Sequence, residues 1–336
     1  MDVATWCRQS RVLIVAGKGG VGKTTVSAAL ALMAAGAGLD VLVVQLEGRG
    51  GVAGLLGHPD DLGSGEVTLG PAEGRVRARV VTPDDALLEY LGDHGLGRVS
   101  RRLLTTGVAD VVATAIPGIR DILVLGKVKS LERGGAADLI VVDAPASGHA
   151  LTFLGSAQGL LDVARVGPIR AQAAEVVDLL ADPARCQVLL VTLPEETPVN
   201  EVVETAYRLE DRVRVGLAPL VVNGLYPPLA GLDVDPEEAA CGAGTRLDPG
   251  HAQVLREAAL FRRGRQRLQA EQVGRLADAL PVAQLPMPYL FSPELGPDQV
   301  GELAVALAGS VEALAGPGGT RPGELDRPAT APGARP

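Results

Sequence analysis

Aromatic side chains are scarce in this 336-residue sequence, which has one Trp, four Tyr and three Phe. So few rings leave little on which the bases of a single strand could stack. The formal net charge of −9 points the same way, because non-specific nucleic-acid affinity comes mostly from Lys and Arg neutralising phosphates. Nucleic acid is therefore not expected as a partner. The three cysteines, Cys7, Cys186 and Cys241, are far apart and form no C-x-x-C pair, which removes the usual zinc and dithiol signatures. They read as buried or incidental thiols. No run of about 18 apolar residues occurs, and no apolar leader precedes the first strand pattern, so neither secretion nor stable membrane insertion is expected. The expected location is the cytoplasm.

Lysine is almost absent too. It occurs only at 18, 23, 127 and 129, and arginine supplies every other positive side chain. Two of the four lysines fall inside Gly17-Lys18-Gly19-Gly20-Val21-Gly22-Lys23-Thr24-Thr25, directly after the apolar run Val12-Leu13-Ile14-Val15-Ala16. The stretch fits G-x-x-x-x-G-K-[ST], in which glycines let backbone N–H groups close on phosphate oxygens without a Cβ in the way. In that pattern Lys23 reaches the β- and γ-phosphates and Thr24 offers its hydroxyl to Mg²⁺. Residues 25–35 are mostly small and apolar helix formers, so the phosphates would also sit at a helix N-terminus. ATP and Mg²⁺ are the expected cofactors.

With 47% hydrophobic residues the chain can bury a sizeable core. Alternation of apolar runs and helical spacing predicts an α/β fold, a doubly wound, mostly parallel sheet flanked by helices, with a helical insert. Residues 1–315 read as one domain, with the insert at about 84–133 and a second helical segment at about 155–182. Residues 316–336, rich in Gly, Pro, Thr and Arg, read as a disordered tail. The second strand, 39–44, ends in Gln45-Leu46-Glu47-Gly48-Arg49. If strands one and two are adjacent and parallel, Glu47 points toward the nucleotide. Residues 66–81 read as a two-strand excursion before the main sheet resumes. The run Asp138-Leu139-Ile140-Val141-Val142-Asp143 is a buried strand ending in a carboxylate. Asp143 either caps the following turn or holds a magnesium-site water, and the upstream glycine loop favours the second role. Ala144-Pro145-Ala146-Ser147-Gly148-His149 then reads as a switch loop in which Gly148 N–H could bond the γ-phosphate. His149 is either a hydrogen-bonded structural histidine or a switch residue. Later expectations are helices at 169–180, 196–212, 250–277 and 298–314, and strands at 187–192, 213–223 and 281–285. The last strand leads into Pro286-Met287-Pro288-Tyr289.

Lys18 narrows the class, because K-G-G-V-G-K-T resembles the deviant Walker A of the signal-recognition-particle/MinD group of P-loop NTPases. Within that group, Asp143-Ala-Pro-Ala-Ser-Gly-His149-Ala-Leu151-Thr-Phe153-Leu154 resembles the switch II signature of the arsenite-pump (ArsA) and tail-anchored-protein-targeting ATPase family. Ile116-Pro117-Gly118-Ile119-Arg120-Asp121 is similar to the family's P-G-x-x-E helix start, and Val221-Val222-Asn223 to the strand end whose Asn reads adenine. The resemblance implies nucleotide contacts from residues 17–25, Gly148, Asn223, Pro286 and Met287. It implies metal-side roles for Thr24, Glu47 and Asp143, and catalytic roles for Lys18, Lys23, Glu47 and Asp143, with Lys18 reaching a partner's nucleotide.

Three departures shape the functional expectation. Where the family's second strand ends in T-D-P-A, this chain has Leu46-Glu47-Gly48-Arg49, which keeps the carboxylate but moves it by a methylene. Catalytic geometry is sensitive to about 1 Å, so hydrolysis is expected to be slow or partner-dependent. The E-G-R form resembles one member of the paired actinobacterial ATPases of the family, which implies a heterodimer with a paralogous ATPase as the alternative to a homodimer. The zinc C-x-x-C and the arsenite-binding cysteines are missing, and the only methionines are Met1, Met33 and Met287, few for an adaptable groove that takes hydrophobic clients. The leading expectation is a dimeric ATPase switch acting on a client protein. The alternatives are a weakly catalytic regulatory subunit of a heterodimer, or a MinD/ParA-type positioning ATPase.

Overall fold

The apolar run Val12–Gly17 forms β1, and all six of its residues are buried. A strand without alternation needs cover on both faces, and β1 has it, lying mid-sheet with helices on either side. The computed structural model of the chain describes residues 1–46, 51–58, 65–69, 75–93, 118–164 and 166–314. Among them the remaining strands are β2 (Val41–Gln45), β3 (Val67–Leu69), β4 (Val76–Val80), β5 (Leu139–Ala146), β6 (Cys186–Thr192), β7 (Gly216–Leu217), β8 (Leu220–Leu225) and β9 (Gln284–Pro288). They order as β3-β4-β2-β5-β1-β6-β8-β9, with β7 paired to β6, and only β3 runs antiparallel.

The strand order corrects two expectations. β5 lies between β1 and β2, so the turns after β1 and β2 are not neighbours; the exit of β5 separates them. Four consecutive large apolar residues suit β5 to that doubly covered central place. Residues 66–81 are no excursion either, because β4 joins the main sheet in parallel register with β2, leaving three-residue β3 as the edge. The expected strand 213–223 is split into β7 and β8, and the last strand starts and ends three residues later than its apolar run suggests.

Helices α1 (Val3–Cys7), α2 (Lys23–Gly36) and α3 (Val52–Leu55) belong to one face, together with the last helix, Pro297–Ala313. α2 is buried almost all round, and its alanines let it fit between the sheet and that last helix. The other face carries α4 (Pro83–Asp93), α5 (Ile119–Arg133), α6 (Ser147–Val163), α7 (Pro168–Ala181) and α8 (Glu196–Arg208). A π-helical turn, Leu209–Val213, extends α8. Then come α9 (Pro236–Gly242), the 31-residue α10 (Pro249–Ala279) and α11 (Pro297–Ala313). The strands feed both layers alternately: Val12, Ile14 and Ala16 point to the α5–α8 side, Leu13 and Val15 to the α2–α11 side.

The β9 edge is blunted by its own sequence. Leu220 N donates to Ala283 O and Tyr289 N to Leu225 O, so odd-numbered residues pair with β8 and residues 284, 286 and 288 face outward. Two of these are prolines, with no N–H to offer, and the Pro286 carbonyl accepts from Ser310 on α11.

Glu47, Ile116 and Pro117, part of the helical insert, and the tail 316–336 lie outside the described residues.

Candidate functional site

In the loop between β1 and α2 a side chain would meet a neighbour at two of the glycines, and the backbone is left-handed at two. A Cβ on Gly17 would run into the Val191 carbonyl of β6. Gly22 has φ +90°, which demands glycine there, and its Cβ would also displace the Asn223 amide. Gly20 also has positive φ, +86°. Gly22 is the N-cap of α2, which places the free N–H groups of its first turn at the mouth of the loop.

Parallel pairing of β1 with β5 sets Val15 beside Asp143 and Gly17 beside Ala146. Asp143 thereby meets the first turns of α2: Thr24 Oγ1 donates to one carboxylate oxygen at 2.8 Å, and Ser27 Oγ to the other at 3.3 Å. Thr24 and Asp143, 119 residues apart in sequence, thus form one oxygen-rich cluster of the kind a magnesium ion and its waters take. Lys23 Nζ donates to the Lys18 carbonyl at 3.2 Å, curled over the loop's own backbone. Asn223, in β8, donates to the Val21 carbonyl at 2.9 Å, so the loop is tied to the strand two places away.

Lys18 does not stand free. Its ammonium is 2.5 Å from Glu201 Oε1 on α8, with both side chains nearly two-fifths exposed. Sequence reading missed Glu201, since nothing local marks a partner 183 residues away. It also missed Ser27, although the Thr24–Ser27 spacing of three puts both hydroxyls on one helix face.

The expected switch loop after Asp143 is not a loop. Ala144, Pro145 and Ala146 continue β5, and Ser147 opens α6, so Gly148 sits in the first turn of a helix whose start lies beside Gly17. Its N–H belongs to the set that a helix leaves unpaired, still suited to an anion. Pro286 and Met287 fall within β9, and Met287 is fully buried in the core. Lys127 and Lys129 are used elsewhere: Lys127 pairs with Glu89, and buried Lys129 pairs with Glu175 at 2.5 Å and Gln172 at 2.9 Å. Burial pushes the Cys7 and Cys186 thiols up to about 12, which makes them poor nucleophiles; Cys241 is exposed. Among the described residues no group of three or more His, Cys, Asp or Glu could hold a metal, and no helix is long and apolar enough to cross a membrane.

Residues 12–280 match the model of the CobQ/CobB/MinD/ParA nucleotide binding domain. The chain is 36% identical over 247 residues to the ATPase BagA of Mycobacterium tuberculosis, covering 71% of each protein. It is also similar to a putative arsenical pump-driving ATPase of Halobacterium salinarum, at 27% identity over 236 residues, 65% of this chain and 36% of that one. With an arsenical pump-driving ATPase of Escherichia coli it shares 30% over 211 residues, 62% of this chain and 33% of the relative. The chain therefore spans about a third of the length of these two pump-driving ATPases.

Proposed function

The chain belongs to the CobQ/CobB/MinD/ParA family of nucleotide-binding domains and is an ATPase of its ArsA-like class, and we propose that it works as a MgATP-driven dimeric switch acting on a client protein. The observation that carries the MgATP part of this reading is the Thr24–Asp143 hydrogen bond, which holds a hydroxyl and a carboxylate together at the glycine loop. Bound there, Mg²⁺ would neutralise phosphate charge as it builds up during transfer. The chain's own residues supply the rest: glycine N–H groups and Lys23 hold the phosphates, Thr24 and Asp143 take the metal side, Gly148 N–H meets the γ-phosphate, and Asn223 lies on the base side. Glu47 is assigned to position the attacking water on the sequence resemblance alone.

Lys18 is assigned to a partner's nucleotide, and in the isolated chain Glu201 holds it in place of that partner. The heterodimer reading stays beside the homodimer because Glu47 replaces the family's Asp; it predicts turnover only on mixing with a paralogous ATPase. The test is ATP binding by calorimetry and turnover for wild type, Lys18→Ala, Lys23→Ala and Glu47→Gln. Lys23→Ala is expected to lose ATP binding, and Lys18→Ala to keep binding but lose turnover. ATP binding that survives Lys23→Ala would overturn the assignment.

A further inference from the structure

The two lysines outside the glycine loop also lie together. Lys127 and Lys129, on α5, line a cavity of about 320 Å³ bounded by α4, α5 and α7, and Arg133 lines it too. These helices cover the sheet face opposite α2, and none of the residues around the cavity belongs to the loop site.

The charges here do not balance. Glu89 pairs with Arg79 and Lys127, and Glu175 with Lys129 and Arg133, so two carboxylates answer four cations. In a chain whose formal net charge is −9, these six side chains carry an excess of two positive charges. Lys129 is the most deeply placed of them. It is only 6% exposed, and its ammonium donates to Glu175 at 2.5 Å and to Gln172 at 2.9 Å. An ammonium has three N–H donors, and the third has no hydrogen-bond partner among the described residues. In such low-dielectric surroundings a bond from that donor to an anionic oxygen is stronger than the same bond in water.

The rest of the lining is neutral, with Leu123 and Tyr90 among it. Burial, and after it the Glu175 carboxylate, raises the Tyr90 hydroxyl above its ordinary value of 10.0, so it stays uncharged. Gly126 matters to the lining as well, because a Cβ there would lie 1.9 Å from Gln172 Nε2 and displace the amide that bonds Lys129. Ligand pockets start at about 300 Å³, so the space suits a small molecule and not a macromolecule.

We propose that the cavity between α4, α5 and α7 binds a small organic anion, with its carboxylate or phosphate oxygens on Lys129 and Arg133 and its carbon body against Leu123 and Tyr90. Glu175 is its internal competitor, since that carboxylate already pairs with both cations. The competition gives the site a signature that a purely structural ion-pair cluster lacks: neutralising Glu175 tightens the anion.

Calorimetric titration of the full chain with succinate and with methyl phosphate tests it, and the probe that binds more tightly names the anionic group. Saturable binding is expected, weakened about tenfold to a hundredfold by Lys129→Gln, the range for hydrogen bonds to charged groups. Arg133→Ala, at a half-exposed side chain, serves if Lys129→Gln fails to fold, and should weaken binding up to about fivefold. Glu175→Gln should bind several-fold more tightly, and Lys23→Ala should bind as the wild type does. Absence of saturable binding of both probes, affinity that neither Lys129→Gln nor Arg133→Ala changes, or weaker binding by Glu175→Gln overturns the site. A loss with Lys23→Ala overturns it too, by assigning the anion to the glycine loop.

Discussion

Gly22 carries two constraints at a single Cα, a left-handed backbone and the Asn223 amide against it. The left-handed backbone is fixed, while the Asn223 amide could give way only by leaving the Val21 carbonyl. Lys18 is the opposite case, a long side chain with one ionic partner that it can leave. Exposed ion pairs contribute about 0–1 kcal/mol, and at nearly two-fifths exposure the Lys18–Glu201 pair belongs there. Breaking it within the chain is therefore cheap. Glu201→Gln should leave the melting temperature unchanged and strengthen ATP-dependent self-association up to about fivefold, the equivalent of 1 kcal/mol. Analytical ultracentrifugation with a non-hydrolysable ATP analogue measures this, and weaker association would show that Glu201 assists Lys18 instead of restraining it.

Among the elements, α10 reverses the usual helix pattern. Its inward side uses Arg256, Arg262, Gln266, Gln269 and Gln272, which bond to Asp235 and to backbone around residues 224–228, or are buried, while Val254, Leu260 and Phe261 face solvent. Only toward its C-terminal end does an apolar side chain, Leu276, enter the main core. Leu276→Ala should lower stability by about 2–5 kcal/mol. Phe261→Ser, at 67% exposure, should change it by less than about 0.5 kcal/mol. Urea unfolding compares the two; a large loss with Phe261→Ser would mean that this face is covered in solution. Arg256, Arg262 and Arg265 of this helix are therefore contacts and not a solvated face.

At the scale of the whole molecule, α4, α5 and α7 are laced by charge as well as by the core. Glu89 pairs with Arg79 and Lys127, and Glu175 with Lys129 and Arg133. The hydrogen bond from Lys129, ahead of the other causes, holds the Glu175 carboxyl below its ordinary value of 4.5. A carboxylate depressed in the folded state contributes stability above its unfolded value and loses it as pH falls through the folded one. Glu175→Gln should therefore be less stable than wild type at pH 7, and the gap should close as pH drops below about 4. Because Glu175 is about two-fifths exposed, the gap should stay near 1 kcal/mol. Thermal unfolding across pH 3–7 checks it, and a gap independent of pH would assign the loss to packing.

Much of this protein could be read from residues whose chemistry is local. The glycine loop, the buried strands and most helices are contiguous patterns, so apolar periodicity and turn chemistry locate them, and Lys23, Thr24 and Asp143 stand out as candidates by residue type and spacing. What sequence could not fix is which strand lies between which, because an apolar run states that it is buried, not beside whom. The insertion of β5 between β1 and β2 is a tertiary outcome, and with it the meeting of Thr24, Ser27 and Asp143. The pairing of Lys18 with Glu201 and the convergence of Glu89, Lys127, Lys129 and Glu175 on one cavity arise the same way, from elements distant in sequence. The amino-acid sequence determined the glycine loop and its phosphate-binding pattern; only the packed sheet decided which side chains gather around it.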